Sequence, residues 1–426
     1  MNFSYQMYEM TLAALGPARA ISDASLLVFR SPFNPLTNTS FGKNIAAGAE
    51  LFERITRRYG KPVFGFKRTT VDGVPVEVRE EVVWERTFCS LLHFVREGVK
   101  PRAWQPRLLI VAPMSGHYAT LLRGTVEAFL PTHDVYITDW NNARTVSLAA
   151  GGFDLDDYID YLREMFGVVG PGAHSIGVCQ PAVPLIAAIA LMEAENHRDI
   201  PASMTLMGGP IDTRRSPTAV NLLAERRGVE WFRAHCLHRV PFPHAGFGRL
   251  VYPGFLQLSG FMAMNLDRHV NAHVEMFNHL VSGDGDSAEK HREFYDEYMA
   301  VMDLTAEYYM QTIETVFVRQ SLPKGEMKHR GTAVDLAAIH RCALMTVEGE
   351  NDDISGVGQT AAAQELCPNI PAGLKFDYLQ KDVGHYGVFN GSRFRALIAP
   401  RIADFHATVD SLAKAQKPSR RKAAKG

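Results

Sequence analysis

The stretch AHSIGVCQPAVPLIAAIALMEAE, residues 173–195, contains the signals for a strand, a tight turn and a helix in immediate succession. Residues 173–178 form a short apolar run, which is typical of a strand buried inside a parallel sheet. Residues 181–195 are rich in Ala, Leu and Ile and begin with proline, which the first turn of a helix tolerates. The turn between them therefore places Cys179 and Gln180 at the carboxyl end of a strand.

The same pattern of a strand followed by a helix or loop recurs on both sides of this stretch. Residues 74–94 alternate β-branched and polar residues, which predicts the opening strands. Further strands are predicted at 107–113, 134–140, 203–209, 342–353 and 375–385, and helices at 120–130 and 155–170. Strands that alternate with helices at this spacing indicate βαβ units. The predicted fold class is therefore α/β, with a mostly parallel sheet, helices on both faces and an inserted helical cap.

The cap is predicted where the alternation stops. From about residue 215 to 335 the sequence is helical in character and rich in aromatic residues, methionine and histidine. The predicted organisation is an N-terminal helical extension (1–60), a first part of the α/β core (61–214), the helical cap (215–335), a second part of the core (336–412) and a basic tail (413–426). The last 13 residues carry six basic residues and no acid, a composition that predicts disorder.

The composition excludes several classes of protein. The 426 residues have a net charge of −1, which argues against nucleic acid as the main partner. The five cysteines are scattered without CxxC pairs, a pattern typical of a reducing compartment without a zinc site. We find neither a secretory signal pattern nor an uninterrupted run of about 18 apolar residues, and we expect a soluble cytoplasmic protein without a membrane span.

Cys179 has the surroundings that a nucleophile needs in a strand-to-helix turn. Gly177, two residues earlier, gives the clearance that such a turn requires. Pro181, two residues later, cannot donate a hydrogen bond, so the backbone N–H of Gln180 is the nearest donor for an oxyanion. The alternative is that Cys179 is a small buried hydrophobic residue, since a single cysteine in an apolar turn usually serves packing.

Two further strand ends supply an acid and a base. Asp352 and Asp353 follow the apolar run that ends at Val347, and His385 lies in a glycine-flanked loop after the next predicted strand. In α/β-hydrolases the nucleophile, the acid and the histidine follow one another in this order. We predict a triad of Cys179, Asp352 and His385, with Asp353 as the alternative acid and a helix cap as the structural alternative for either aspartate.

The loop after residues 107–113 is the expected source of a second oxyanion donor. We expect the backbone N–H of Met114 in this role, beside Gly116, which permits a close approach. Ser115 and His117 are candidate substrate contacts in the same loop. No metal or cofactor is predicted.

These motifs together resemble the intracellular poly(3-hydroxybutyrate) depolymerases, a family of α/β-hydrolases with a cysteine nucleophile. The resemblance extends over most of residues 5–405. It is carried by MYEMTLAAL, VEVREEVVWERTFCSLLHF, VAPMSGHYATLLRGTVEAFLPTHDVYITDWNNAR, GVCQP, LMGGPIDTRRSPT, EGENDDISGVGQT and VGHYGVFNGSRF. The family's nucleophile, acid and histidine correspond to Cys179, Asp352 and His385.

The resemblance implies hydrolysis of the esters of amorphous polyester granules in the cytoplasm, with release of 3-hydroxybutyrate oligomers and monomer. The implied partner is the granule surface, and the apolar N-terminal segment makes a homodimer a reasonable expectation. Polyester synthases also use cysteine, but in a G-x-C-x-G motif, where this chain has Pro181. A synthase-like acyltransferase and a non-catalytic granule-binding scaffold are the alternatives.

Overall fold

A computed structural model describes residues 3–99, 105–264, 266–282 and 284–416. The strands, numbered along the chain, are β1 Arg68–Val71, β2 Val74–Arg86, β3 Cys89–Arg96, β4 Arg107–Val111, β5 Asp134–Trp140, β6 His174–Val178, β7 Ser203–Met207, β8 His238–Arg239, β9 Leu250–Tyr252, β10 Leu304–Thr305, β11 Lys328–His329, β12 Thr332–Ala333, β13 Ala343–Gly349 and β14 Lys375–Gln380. Nine of them form one sheet in the order β1-β2-β3-β5-β4-β6-β7-β13-β14.

The six strands from β5 to β14 in this order run parallel to one another. At the other edge, β1, β2 and β3 are antiparallel, and β3 pairs antiparallel with β5. This order, with a sharp turn into a helix after the central strand β6, is that of the α/β-hydrolase fold. The predicted fold class is confirmed.

Burial explains why the central strands are continuously apolar. Every residue of β6, β7 and β13 is buried, because helices cover both faces of the sheet. The helix that follows β6 is buried from Ala182 to Glu193. A helix without a polar face is stable only in such a position, between the sheet and other helices. The turn that joins β6 to this helix is therefore fixed by two buried elements, the strand before it and the helix after it.

The helices surround this sheet. They are α1 Phe3–Ala14, α2 Gly16–Phe29, α3 Ser40–Thr56, α4 Arg123–Phe129, α5 Leu155–Val169, α6 Ala182–Ala194, α7 Ala219–Cys236, α8 Gly254–Met264, α9 Leu266–Ser282, α10 Gly285–Tyr298, α11 Ala306–Thr312, α12 Ala362–Leu366, α13 Gly391–Arg393 and α14 Ala399–Gln416. The chain breaks the helical geometry of α7 at Gly228, where φ is +68°.

The cap between β7 and β13 is not purely helical, in contrast to the prediction for residues 215–335. Besides α7 to α11 it contains a small antiparallel sheet in the order β10-β9-β8 and a hairpin of β11 and β12. These strands have only two or three residues, too few to show the period-two alternation by which a strand is recognised. The segment boundaries drawn from the sequence stay predictions.

Two ends of the chain differ from expectation. Helix α14 continues to Gln416, so the first residues of the predicted disordered tail are helical, and residues 417–426 lie outside the described residues.

Near the N-terminus, Ser4–Phe29 is long and apolar enough to cross a membrane by length and composition alone. The sequence prediction looked for an uninterrupted apolar run, whereas this segment has scattered polar residues at a mean hydropathy of 1.3.

Candidate active site

Cys179 occupies a strained turn directly after β6. Its φ is +66°, a left-handed conformation that residues other than glycine rarely adopt, and its N–H donates to the carbonyl of Met207 over 2.7 Å. A Cβ atom on Gly177 would lie 2.9 Å from the Leu185 side chain, so only glycine fits there without movement. Gly209 has the same role from β7, since its Cβ would lie 2.8 Å from the carbonyl oxygen of Cys179. The turn thus has the geometry of a nucleophile elbow.

The backbone after Cys179 opens helix α6. Pro181 precedes the first residue of the helix, and the N–H of Ala182 donates back to the carbonyl of Cys179 over 3.1 Å. Among the described residues, none accepts a hydrogen bond from the N–H of Gln180. This donor lies at the positive end of the helix, where it can bind an anionic oxygen.

His385 and Asp352 form a buried pair at the neighbouring strand ends. Nδ1 of His385 lies 2.8 Å from Oδ2 of Asp352, and both side chains are nearly inaccessible to solvent. The other carboxylate oxygen of Asp352 accepts hydrogen bonds from the N–H groups of Ile354 and Ser355 at 2.9 and 2.8 Å. Asp353 is exposed. The structure therefore brings Asp352, and not Asp353, to the histidine.

The charges around His385 favour its protonated form. Burial acts to lower the pKa of His385, but the charges of Cys179 and Asp352 and the hydrogen bond to Asp352 hold the pKa well above its ordinary value. Because Asp352 accepts from Nδ1–H, the proton that His385 exchanges with Cys179 is the one on Nε2. His385 is thus hydrogen-bonded to Asp352 and electrostatically coupled to Cys179.

Gly208, which the sequence analysis did not single out, lies against this pair. Its φ is +54°, and a Cβ atom there would lie 3.3 Å from Oδ2 of Asp352 and 3.4 Å from Cε1 of His385. The paired glycines of LMGGP were the only sequence signal for it. Gly208 leaves room for the side chains of Asp352 and His385, and Gly209 leaves room for the backbone of Cys179.

The loop after β4 lies beside the elbow, as predicted, and contacts the cap. The side chain of Met114 is fully buried, whereas Ser115 and His117 line the cavity that contains Cys179. The N–H of Met302 donates to the carbonyl of Gly116 over 2.7 Å, which fixes the loop to the cap. Among the described residues, no partner accepts from the Met114 N–H.

The cavity above Cys179 has a volume of about 440 Å³ and is mainly apolar. The cap provides most of its wall, with side chains that include Leu223, Phe232, Tyr252, Phe261, Tyr309, Ile313 and Phe317. Tyr386, which follows the histidine, also lines it, and its ring packs 5.8 Å from that of Tyr298. Neither tyrosine was predicted from the sequence. The described residues contain no group of three His, Cys, Asp or Glu side chains placed to hold a metal ion.

Comparison with known proteins found a family match in the second half of the chain. Residues 208–410 match a family model described as the C-terminus of PHB (polyhydroxybutyrate) depolymerase. This part of the chain is similar to the PHB depolymerases, and we call it the depolymerase region. It contains Asp352 and His385 and begins 29 residues after Cys179.

Solved structures with which the chain aligns include three ester hydrolases. They are a carboxylesterase from Nitrososphaera gargenis (12% identity, 78% of this chain and 99% of that chain, TM-score 0.41), an esterase from Thermogutta terrifontis (13%, 82% and 97%, 0.37) and the carboxylesterase CesB from Bacillus subtilis (11%, 78% and 92%, 0.40). No curated protein sequence matches the chain significantly. The depolymerase region and the fold together support a carboxylic ester hydrolase.

Proposed function

We propose that this protein hydrolyses the ester bonds of poly(3-hydroxybutyrate), with Cys179 as nucleophile, His385 as base and Asp352 as the acid that orients the histidine. The observation that carries the proposal is the hydrogen-bonded pair of Asp352 and His385 next to Cys179, with the cysteine and the histidine both lining an apolar cavity. A polyester of short hydroxy acids has the apolar side groups and ester carbonyls that such a cavity accommodates.

The proposed reaction has two halves. In the first, His385 Nε2 takes the proton of the Cys179 thiol, and the sulfur attacks the ester carbonyl. The backbone N–H groups of Gln180 and Met114 stabilise the oxyanion. The C–O bond then breaks, His385 returns the proton to the departing hydroxyl group, and a thioester remains on Cys179.

In the second half, water replaces the alcohol. Nε2 of His385 takes a proton from the water molecule as it attacks the thioester carbonyl. The carboxylic acid leaves, and the thiol of Cys179 is restored with that proton. Asp352 keeps Nδ1 protonated throughout, so that Nε2 alone exchanges protons.

We further propose that the polymer granule in the cytoplasm is the partner of this protein. The five cysteines are all free, which fits a reducing compartment. Exposed apolar side chains support a docking surface on α2, α3, the loop between them and α9. Leu27 in α2, Phe33 in the loop and Phe41 in α3 are 77%, 94% and 61% exposed. Helix α9 adds exposed residues spaced four apart, Leu266, Val270 and Val274.

The decisive experiment is the release of 3-hydroxybutyrate from amorphous granules by the wild type and Cys179→Ala. We expect the release to be abolished in Cys179→Ala and unchanged in the matched control Cys236→Ala, whose half-buried cysteine lies in the cap. Cleavage that persists in Cys179→Ala would contradict the mechanism. Polymer formation from hydroxybutyryl-CoA without granule hydrolysis would establish the synthase-like alternative, and granule binding without cleavage by the wild type would establish a scaffold.

Docking is tested separately by sedimentation of the protein with granules. The double variant Phe33→Ser, Phe41→Ser should remain in the supernatant and keep its activity on a soluble ester. If the variant instead changes the sedimentation coefficient in the absence of granules, the same surface is a homodimer interface.

A further inference from the structure

His117 is held in one tautomer by the cap. Its Nε2 lies 3.1 Å from the carbonyl oxygen of Tyr298, and a carbonyl oxygen can only accept a hydrogen bond. Nε2 must therefore be protonated, and in the neutral ring Nδ1 must carry the lone pair. Burial lowers the pKa of His117 to about 4, so the ring is neutral at the pH of a cell.

The orientation of the ring is also fixed. It packs between the rings of Phe261 and Tyr298, at centroid distances of 5.6 and 5.3 Å. The backbone around it is tied to the cap through a bridge between His117 and Val301. The acceptor on Nδ1 thus has a defined direction before any ligand arrives.

Nδ1 of His117 has no hydrogen-bond partner among the described residues, although the residue is only 2% exposed and lines the catalytic cavity. An acceptor that faces an apolar wall without a partner is destabilising once water leaves the cavity. The side-chain oxygen of Gln180 also lacks a partner, but it is fully inaccessible to solvent. A ligand in the cavity that carries an O–H donor could give Nδ1 of His117 the hydrogen bond that it lacks.

We propose that His117 binds the free hydroxyl end of the polyester chain through Nδ1. This inference rests on the proposed function, because a poly(hydroxy acid) has one such end and its internal ester oxygens cannot donate. A site that recognises the hydroxyl end favours cleavage near that end and the release of short products. His117 would then determine specificity and take no part in proton transfer.

The test compares two soluble trimers of 3-hydroxybutyrate, one with a free hydroxyl end and one in which that hydroxyl is O-methylated. The wild type should have a higher kcat/KM for the free trimer, mainly through KM. One hydrogen bond corresponds to a preference of up to about tenfold. His117→Leu should abolish the preference, so that its kcat/KM values for the two trimers become equal.

His117→Gln provides the conservative control, since its amide can donate to Tyr298 and accept from the ligand. It should retain part of the preference. Equal kcat/KM for both trimers in the wild type, or a preference that is unchanged in His117→Leu, would overturn the proposal. p-Nitrophenyl butyrate hydrolysis by the same preparations separates this result from a failure of the proposed ester hydrolysis or of folding.

Discussion

Replacing Gly208 by alanine tests how closely the acid and the base depend on the end of β7. Gly208 is fixed by its N–H, which donates to the carbonyl of Val347 over 2.9 Å, and by its φ of +54°. The added methyl group would lie 3.3 Å from Oδ2 of Asp352 and 3.4 Å from Cε1 of His385. The first distance is shorter than a comfortable contact and the second is at the lower limit of one, so Asp352 must move by a few tenths of an ångström.

The substitution has two separable effects. The left-handed backbone costs about 1–2 kcal/mol of stability when alanine replaces glycine. The contact adds a displacement of the Asp352–His385 pair by a few tenths of an ångström. Since a misplacement of about 1 Å can lower catalysis about 100-fold, we expect a loss of about 3- to 10-fold in kcat/KM. Gly73→Ala isolates the first effect, because Gly73 has a φ of +78° and no atom lies within 4 Å of the place that an added Cβ would take.

The assay is hydrolysis of p-nitrophenyl butyrate, together with urea unfolding of both variants. Both should lose similar stability, and only Gly208→Ala should lose activity, through kcat. If Gly208→Ala has wild-type kcat, or if Gly73→Ala loses as much activity, then the contact with Asp352 and His385 does not position them and this reasoning is refuted.

Three further changes have expected outcomes. Asp352→Asn should lower kcat about 10⁴-fold because Nδ1 loses its carboxylate acceptor, whereas Asp353→Asn should leave steady-state kinetics unchanged; a larger loss in Asp353→Asn would reverse the assignment. Burial lowers the pKa of His133 to about 3, so as the pH falls below about 6.5 the unfolded chain binds a proton that the folded chain does not. Urea unfolding at pH 7 and 4.5 should show about 2–3 kcal/mol less stability at pH 4.5 from this group, and His133→Gln, but not the exposed His340→Gln, should reduce that difference. Leu223→Trp narrows the cavity and should lower kcat/KM for p-nitrophenyl octanoate about tenfold relative to the butyrate ester, and an unchanged ratio would place the acyl chain elsewhere.

The sequence predicted the part of the fold in which burial is uniform. Strands β4, β6, β7 and β13 are short, mostly apolar runs because they are covered on both faces, and each was predicted within a few residues of its observed position. The edge strand β14 is for the most part not buried and does not show this pattern. Cys179, Asp352 and His385 could also be singled out from the sequence. The fold places the ends of parallel strands at one edge, and the order nucleophile, acid, histidine along the chain is characteristic.

What the sequence could not predict depends on contacts between distant segments. Gly208 lies against the side chains of Asp352 and His385, which are 144 and 177 residues away along the chain. The ring contact of Tyr298 and Tyr386 joins the cap to the histidine loop. Tyr5 in α1 is buried and donates to the carboxylate of Asp303 in the cap, which anchors the N-terminal helices. No local periodicity signals such contacts, because each requires the tertiary fold to exist first.

Because the cap is inserted between β7 and β13, the proposed catalytic side chains come from two separate parts of the chain. The thiol of Cys179 lies before the cap, and the carboxylate and imidazole lie after it, yet β13 pairs directly with β7 from Ala343 opposite Ser203 to Val347 opposite Met207. A single proteolytic cut within the cap would therefore leave nucleophile and base on separate polypeptides that backbone hydrogen bonds still hold together. Such a nicked enzyme should copurify as two fragments. Its residual activity would show how well the pairing of β7 with β13 keeps the site assembled when the chain is no longer continuous.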